Sequence, residues 1–183
     1  MKESTALPFN YLHQIGLHLW RRHGMLDLSG KRKRRFLLNL GEHIMGYTHY
    51  WDGKANLTPE LVADIKAIIA GSTVTIKNGI GSEKPVVTRE NVSLNGDADT
   101  DDDFETFELG ALDGWNFCKT GQRPYDEVVT AILLRVTHYD AAFNVSSDGD
   151  WVDDWKAGRE LYARVFGEDA VKPSELVEDY SLV

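Results

Sequence analysis

The segment from Pro124 to Tyr139 constrains the fold of this chain more than any other. Pro124 stands at a helix start, and Asp126 and Glu127 follow in the first turn, where the helix dipole favours negative charge. Apolar residues then repeat with helical spacing and form a broad face: Val128, Val129, Ile132, Leu133 and Val136. The pattern predicts a helix at the centre of a hydrophobic core.

Two further helices are predicted around this one. Residues 58–59, Thr-Pro, start a helix that Gly71 ends, and Asp150 caps a last helix over 151–166. Short β-prone segments are predicted at 46–51, 73–77, 86–87, 92–94, 104–109 and 142–145, with a Gly-rich loop at 110–122. The architecture predicted from this order is α+β, a small and mainly antiparallel sheet with about three helices packed against it.

Charge divides the chain into parts of different character. Residues 1–44 hold eight basic and three acidic residues and therefore carry a charge of +5. Because the net charge of the whole chain is −9, residues 45–183 carry −14. We predict a basic, poorly structured arm over 1–44, one α+β domain over 45–167 and an acidic tail over 168–183. A body this acidic repels nucleic acid and anionic membranes and attracts basic partners, so nucleic acid is not an expected partner of residues 45–183.

The composition break at Met45 has two interpretations, and both stay open. Translation could start naturally at Met45, which would make residues 1–44 an upstream extension of the reading frame. Alternatively, residues 1–44 are a flexible basic arm whose cluster Lys31–Arg35 could bind nucleic acid or an acidic lipid surface.

The sequence favours a cytoplasmic protein without a membrane partner. No apolar run approaches the roughly 20 residues that span a bilayer, and the N-terminus does not resemble a signal peptide. Cys118 is the only cysteine, so an internal disulfide is impossible. The chain lacks a cluster of cysteine and histidine with zinc spacing, and we predict no cofactor.

Three segments carry a resemblance to a known family. They are GYTHYW at 46–51, FCKTGQRPYD at 117–126 and VSSDG at 145–149. Together they resemble a family of uncharacterised bacteriophage and prophage proteins whose members begin with Met-Gly-Tyr-Thr-His-Tyr. The resemblance implies a natural start at Met45 and a place in the cytoplasm of an infected or lysogenic bacterium. It implies no activity.

A polar cluster before the central helix is the first candidate site. Its members are Lys119, Thr120, Arg123, Tyr125 and Asp126. Free N–H groups at a helix N-terminus, with two cations beside them, could hold a phosphate or carboxylate. The alternative is that these residues only cap the helix and anchor the loop.

Cys118 and His49 are the candidate catalytic residues. Lys119 and the helix start near Cys118 would lower the thiol pKa, and His49 or His138 could act as the base. The alternative is that Cys118 is a small core residue and that His49 is a partly buried histidine with a hydrogen-bonded ring. No Ser-His-Asp order stands out in the sequence.

The acidic segment after residue 96 partly matches a calcium-binding loop. Acidic residues occupy template positions 1, 3, 5, 9 and 12: Asp97, Asp99, Asp101, Glu105 and Glu108. Position 6 holds Asp102 in place of the glycine that the sharp turn needs, so a solvated acidic loop is favoured over a metal site.

The function hypothesis that follows is an accessory protein of phage type that binds a host or phage protein through its acidic surface. One alternative is a small-ligand or nucleotide-binding protein that uses the loop before the 124–139 helix. The other is an enzyme with Cys118 as nucleophile. A binding protein is favoured over an enzyme.

Overall fold

The computed structural model describes residues 47–79, 83–110 and 114–179, so the predictions made for residues 1–44 lie outside the described part. The helices are α1, α2 and α3, and the strands are β1 to β6. In chain order they are β1 Thr48–Asp52, α1 Pro59–Gly71, β2 Val86–Val87, β3 Val92–Leu94, β4 Phe107–Leu109, β5 Trp115–Lys119, α2 Asp126–Tyr139, β6 Asn144–Ser147 and α3 Lys156–Phe166. The predicted α+β class with about three helices is confirmed.

The strands form two antiparallel sheets of three strands each, where a single sheet was expected. The first has the order β5-β1-β6 and the second the order β2-β3-β4. In the first sheet Tyr50 of β1 lies opposite Phe117 of β5 and Ser146 of β6. The sheets meet through Trp51 and Phe107, whose ring centroids are 5.3 Å apart.

Helix α2 lies at the centre of the core, as its sequence predicts. All five residues of its predicted apolar face are buried, and so are Thr130, Ala131 and Leu134 on its other sides. The helix packs against both α1 and α3. Gly158 permits the close approach of α3, because a Cβ at this position would overlap the Thr130 side chain.

Helix α1 follows its sequence signals at both ends. The Thr58 hydroxyl accepts a hydrogen bond from the Leu61 amide over 3.2 Å, and Pro59 occupies the first turn. The helix ends at Gly71, as predicted. Its buried side chains are Leu61, Val62, Ile65 and Ile68.

The structure differs from the predicted elements in three main respects. Residues 73–77 form no strand, and only Lys77 makes a β-bridge, to Asn95. The predicted Gly-rich loop contains β5, whose pairing with β1 is a long-range contact that local composition does not report. Helix α3 begins at Lys156, because the Asp150 carboxylate accepts from the Asp153 amide over 2.8 Å and holds residues 151–155 in turns.

The described part of the C-terminal tail is attached to the domain. The Trp151 and Val152 amides donate to the carbonyls of Val177 and Glu178, and Leu176 is buried. This contact differs from the loose tail that acidic composition indicates. No helix in the described ranges is long and apolar enough to cross a membrane.

Candidate functional site

One face of the first sheet presents a cluster of three aromatic side chains, in which the middle ring contacts the other two. We call Tyr50, Trp115 and Phe117 the aromatic face. The rings of Tyr50 and Trp115 stack with centroids 5.8 Å apart, and those of Trp115 and Phe117 are 5.4 Å apart. Trp115 is 64% exposed and Phe117 is 51% exposed. Large aromatic side chains rarely cluster in solvent without a binding role.

Strand alternation explains why these rings face outward. Side chains on a strand point alternately to its two faces, so Tyr50 and its partner Phe117 share the outer face of the sheet. Their neighbours His49 and Cys118 form the next pair and point into the core, where both are fully buried. The sequence therefore divides β1 and β5 into a core side and a solvent side.

Two carboxylates flank the aromatic face. Asp52 is exposed and lies directly opposite Trp115 in the strand register. Asp148 accepts a hydrogen bond from the Tyr50 hydroxyl over 3.3 Å and another from the Thr48 amide over 3.0 Å. Within the described ranges neither carboxylate forms an ion pair with a lysine or arginine. Among the described residues, the face thus combines aromatic surface with negative charge that no ion pair neutralises.

A buried polar network lies on the inner side of the same sheet. His49 Nδ1 is 2.9 Å from the Ser147 hydroxyl, and His49 Nε2 is 2.7 Å from Asp126 Oδ1. The Thr120 hydroxyl donates to the same Asp126 oxygen. Because an ionised carboxylate can only accept, the hydrogen bond to Asp126 requires a proton on Nε2. The network ties β1, β6 and the residue that follows β5 to the first turn of α2.

Ser147, His49 and Asp126 have the order of a nucleophile, a base and an orienting acid. The surrounding charge opposes that chemistry. Burial raises the pKa of the Tyr47 hydroxyl, and the negative charges of Asp126, Asp154 and Asp150 near the network raise it further. Such a field would destabilise the oxyanion that acyl transfer must form.

The hydrogen bonds around Ser147 also favour a structural role. The Gly149 amide donates to the Ser147 hydroxyl over 2.9 Å, and the Asp148 amide donates to the Thr48 carbonyl. These amides are therefore engaged and cannot form an oxyanion hole. A Cβ at Gly149 would overlap the Tyr47 hydroxyl, so this turn is tightly packed. The network fixes the turn that places Asp148 beside the aromatic face.

The surroundings of Cys118 oppose the low thiol pKa that the nucleophile hypothesis requires. Burial raises the pKa of the Cys118 thiol, and the carboxylates of Glu105 and Asp126 raise it further. The thiol lies 3.5 Å from the Glu105 carbonyl in the core, away from solvent. His49, the proposed base, is occupied by Ser147 and Asp126. These features match the core-residue interpretation of Cys118.

The predicted anion cluster is divided between core and surface. Thr120 and Tyr125 are fully buried, and the Tyr125 hydroxyl donates to the Glu105 carbonyl over 2.6 Å. Asp126 faces His49, which leaves Lys119 and Arg123 half-buried at the surface. The first amides of α2 are also engaged, since those of residues 126, 128 and 129 donate to carbonyls of residues 123 and 125. The free donors on which the anion hypothesis depends are therefore missing at these positions.

The carboxylates of the predicted calcium-binding loop do not converge on one site either. Asp97 caps a 3-10 helix at Ala98–Thr100 by accepting from the Asp99 amide, and it lies 3.7 Å from Lys77. Glu108 accepts from the Ser93 hydroxyl, and Asp101 ends the 3-10 helix in a left-handed conformation. Across the described ranges no group of three histidine, cysteine or acidic residues is placed to hold a metal ion.

A cavity of about 440 Å³ lies between α2, β6 and the tail. Several of its polar lining groups already have partners: the Tyr162 hydroxyl contacts Arg135 and Glu168, and Lys172 donates to the Leu176 carbonyl. Small-molecule sites depend on a few convergent polar groups that are available to the ligand. The aromatic face is the stronger candidate.

Comparison with known proteins returned no match to a family model, to a curated protein or to a solved structure. The geometry of the described residues is therefore the basis on which a function is proposed.

Proposed function

We propose that this protein acts by binding a partner protein through the aromatic face. The observation that carries the proposal is the contact of Trp115 with Tyr50 and Phe117 on a sheet face where Trp115 and Phe117 are exposed. Tryptophan and tyrosine are enriched among the residues that dominate binding energy at protein interfaces. A pre-ordered aromatic cluster also loses little side-chain entropy when a partner covers it.

Charge selects the class of partner. Exposed aromatic rings on a sheet can also stack on single-stranded bases, but such sites lie in positively charged grooves. Here Asp52 and Asp148 flank the rings, and residues 45–183 carry −14. The field repels phosphates and attracts basic surfaces, which favours a basic protein.

The resemblance to bacteriophage and prophage proteins supplies a context for this partner. We propose that it is a host or phage protein met in the bacterial cytoplasm. Proteins that normally hold nucleic acid have the basic surfaces that this face would fit.

The two alternative functions have weaker support. An anion or nucleotide site before α2 would need the amides and side chains that the fold already uses at Thr120, Tyr125 and Asp126. An enzyme with Cys118 as nucleophile would need a thiolate in a buried position surrounded by carboxylates. Neither group of residues offers the exposed, unoccupied surface that the aromatic face provides.

A capture experiment with the full chain tests the proposal. The tagged protein is incubated with bacterial lysate, eluted with a salt gradient and compared with the double variant Trp115→Ala/Phe117→Ala. We expect a stoichiometric basic partner that leaves at intermediate salt and is lost with the double variant. Electrostatically steered association weakens steeply with ionic strength, so the salt dependence reports the acidic contribution.

The matched control is Val86→Ser, which removes an exposed apolar side chain from the second sheet. It should retain the partner. Binding that survives the double variant, or that is lost equally with Val86→Ser, would overturn the proposed function.

A further inference from the structure

We infer that the aromatic face recognises an arginine side chain, whose guanidinium stacks on the rings and pairs with the flanking carboxylates. The inference rests on the proposed function and names the chemistry of the contact. It concerns one anchoring residue of the partner, at the centre of the surface defined by Tyr50, Trp115 and Phe117.

The face has both groups that a guanidinium requires. A flat cation binds over an aromatic ring through the ring quadrupole, most strongly over tryptophan. Trp115 is 64% exposed, so its ring is accessible. Asp52 lies opposite Trp115 and Asp148 is bonded to Tyr50, so a carboxylate stands at either end of the ring cluster. A stacked guanidinium can donate in its plane to such carboxylates.

The same combination of groups holds an arginine inside this protein. The Arg135 guanidinium lies 3.9 Å from the centroid of the Phe166 ring and also contacts the rings of Tyr139 and Tyr162. Its nitrogens are 2.8 Å from Asp64 and 3.2 Å from Glu168. The aromatic face presents rings and carboxylates of the same kinds to solvent.

The described residues supply no such cation to the face. Lys119 lies on the same strand, but its ammonium is over the ring of Phe104, at 5.8 Å. The ion pairs in the described ranges involve other carboxylates than Asp52 and Asp148. A cation from a partner could therefore contact the rings of the aromatic face and at the same time neutralise the charges of Asp52 and Asp148.

Arginine fits this surface better than lysine. The guanidinium is planar, weakly hydrated and able to stack while it donates sideways, whereas the lysine ammonium is a compact and strongly hydrated charge. Arginine and lysine carry the same charge, so attraction to an acidic protein would not distinguish them. Stronger binding of arginine than of lysine would therefore indicate stacking on the rings.

Nuclear magnetic resonance with small probes tests the inference without a known partner. The full chain, labelled with 15N, is titrated with N-acetyl-arginine amide, N-acetyl-lysine amide and N-acetyl-citrulline amide. The indole N–H signal of Trp115 is assigned by its loss in Trp115→Phe. We expect that signal to move with the arginine probe at about threefold lower concentration than with the lysine probe, and to stay still with the uncharged citrulline probe.

A pair of charge-matched variants identifies the carboxylate. Asp52→Asn removes a flanking charge and should weaken arginine binding several-fold, because the guanidinium loses a charged partner. The variant should still fold, since Asp52 makes no ion pair among the described residues. Asp99→Asn removes the same charge from the exposed 3-10 helix and should leave the titration unchanged. If Asp52→Asn and Asp99→Asn weakened arginine binding equally, the probe would be attracted only by the overall negative charge of the protein, and the inference would be overturned.

The outcomes also separate this inference from the proposed function. A partner that is captured through Trp115 and Phe117, combined with equal response to the arginine and lysine probes, overturns the arginine anchor alone. If the natural protein and the double variant Trp115→Ala/Phe117→Ala capture the same partner equally well, the aromatic face is not the binding surface and the proposed function is overturned. A Trp115 response that is selective for arginine and weakened only by Asp52→Asn supports the anchor.

Discussion

His49 of β1 and Asp126 of α2 form a buried hydrogen bond of 2.7 Å that joins the first sheet to the start of the central helix. The two residues are 77 positions apart in the chain. Asp126 also accepts from Thr120, and His49 also contacts Ser147, so this bond is the centre of a longer chain of polar contacts. The arrangement makes the strands interdependent and holds the turn that carries Asp148.

Replacement of His49 measures the stability that this network provides. His49→Ala removes one hydrogen-bond partner from Asp126 and one from Ser147, which keep the Thr120 hydroxyl and the Gly149 amide. We expect the free energy of unfolding to fall by about 2–4 kcal/mol, because a buried aromatic ring and two buried hydrogen bonds are lost. Urea denaturation of the full chain gives the value. The double variant His49→Ala/Asp126→Ala should lose less than the sum of the two single changes, by about 1 kcal/mol or more. Strict additivity would contradict a direct coupling.

Gly158 provides a test of the packing between α2 and α3. Alanine at an exposed helix position is more stable than glycine by about 0.5–1 kcal/mol. In α3 a Cβ would lie 2.8 Å from the Thr130 Cβ and 3.1 Å from the Ala131 amide nitrogen. We therefore expect Gly158→Ala to destabilise the protein by about 1–3 kcal/mol, measured by thermal or urea denaturation.

A second substitution identifies the clash as the cause. Thr130→Ala removes the hydroxyl that the new methyl would overlap, so the cost of Gly158→Ala should be smaller in the Thr130→Ala background. Stabilisation by Gly158→Ala alone would show that the helices have room to separate and that the packing is looser than described.

Cys118 should be chemically inert in the native protein. Its raised pKa leaves little thiolate at neutral pH, and its burial excludes reagents. We expect alkylation by iodoacetamide at neutral pH to be slower than in urea by on the order of 100-fold or more, because reaction requires opening of the core. Mass spectrometry over time gives both rates. Native alkylation as fast as that of free glutathione would revive the nucleophile hypothesis.

Local signals predicted the parts of the fold that depend on local physics. Helix α2 follows from the spacing of its apolar residues, and α1 follows from Thr58, Pro59 and Gly71. Strand β5 was missed because its stability depends on pairing with β1, more than 60 residues earlier in the chain. Gly114 and Gly121 at its borders resemble loop composition and hide the strand.

The candidate site was predictable only in pieces. The sequence leaves His49 open between a catalytic residue and a partly buried, hydrogen-bonded histidine, and both of its partners lie in segments that the sequence singles out. Their meeting depends on tertiary contacts across 77 and 98 residues, which no local pattern reports. The outward alternation of Trp115 and Phe117 could have indicated the aromatic face, since two large aromatic residues two positions apart are typical of one strand face.

Asp154 makes the pH dependence of stability testable. Burial raises the pKa of the Asp154 carboxyl, and repulsion from Asp150 and Asp126 adds to the shift. A carboxyl whose pKa is higher in the folded than in the unfolded state binds protons more readily when folded. Its contribution to stability is therefore complete below the unfolded pKa and is lost as pH rises through the folded pKa.

The comparison with Asp154→Asn isolates this effect from other carboxylates. The variant cannot ionise, so its stability relative to the natural protein should be highest near neutral pH and should fall as the pH is lowered into the acid range. Urea denaturation of both proteins between neutral and acid pH gives the difference. Asp99→Asn, at a solvated position, should show no such trend. A difference for Asp154→Asn that grows towards acid pH would mean that the folded protein favours the ionised carboxylate, through its bonds to the Asp150 amide and Gln122.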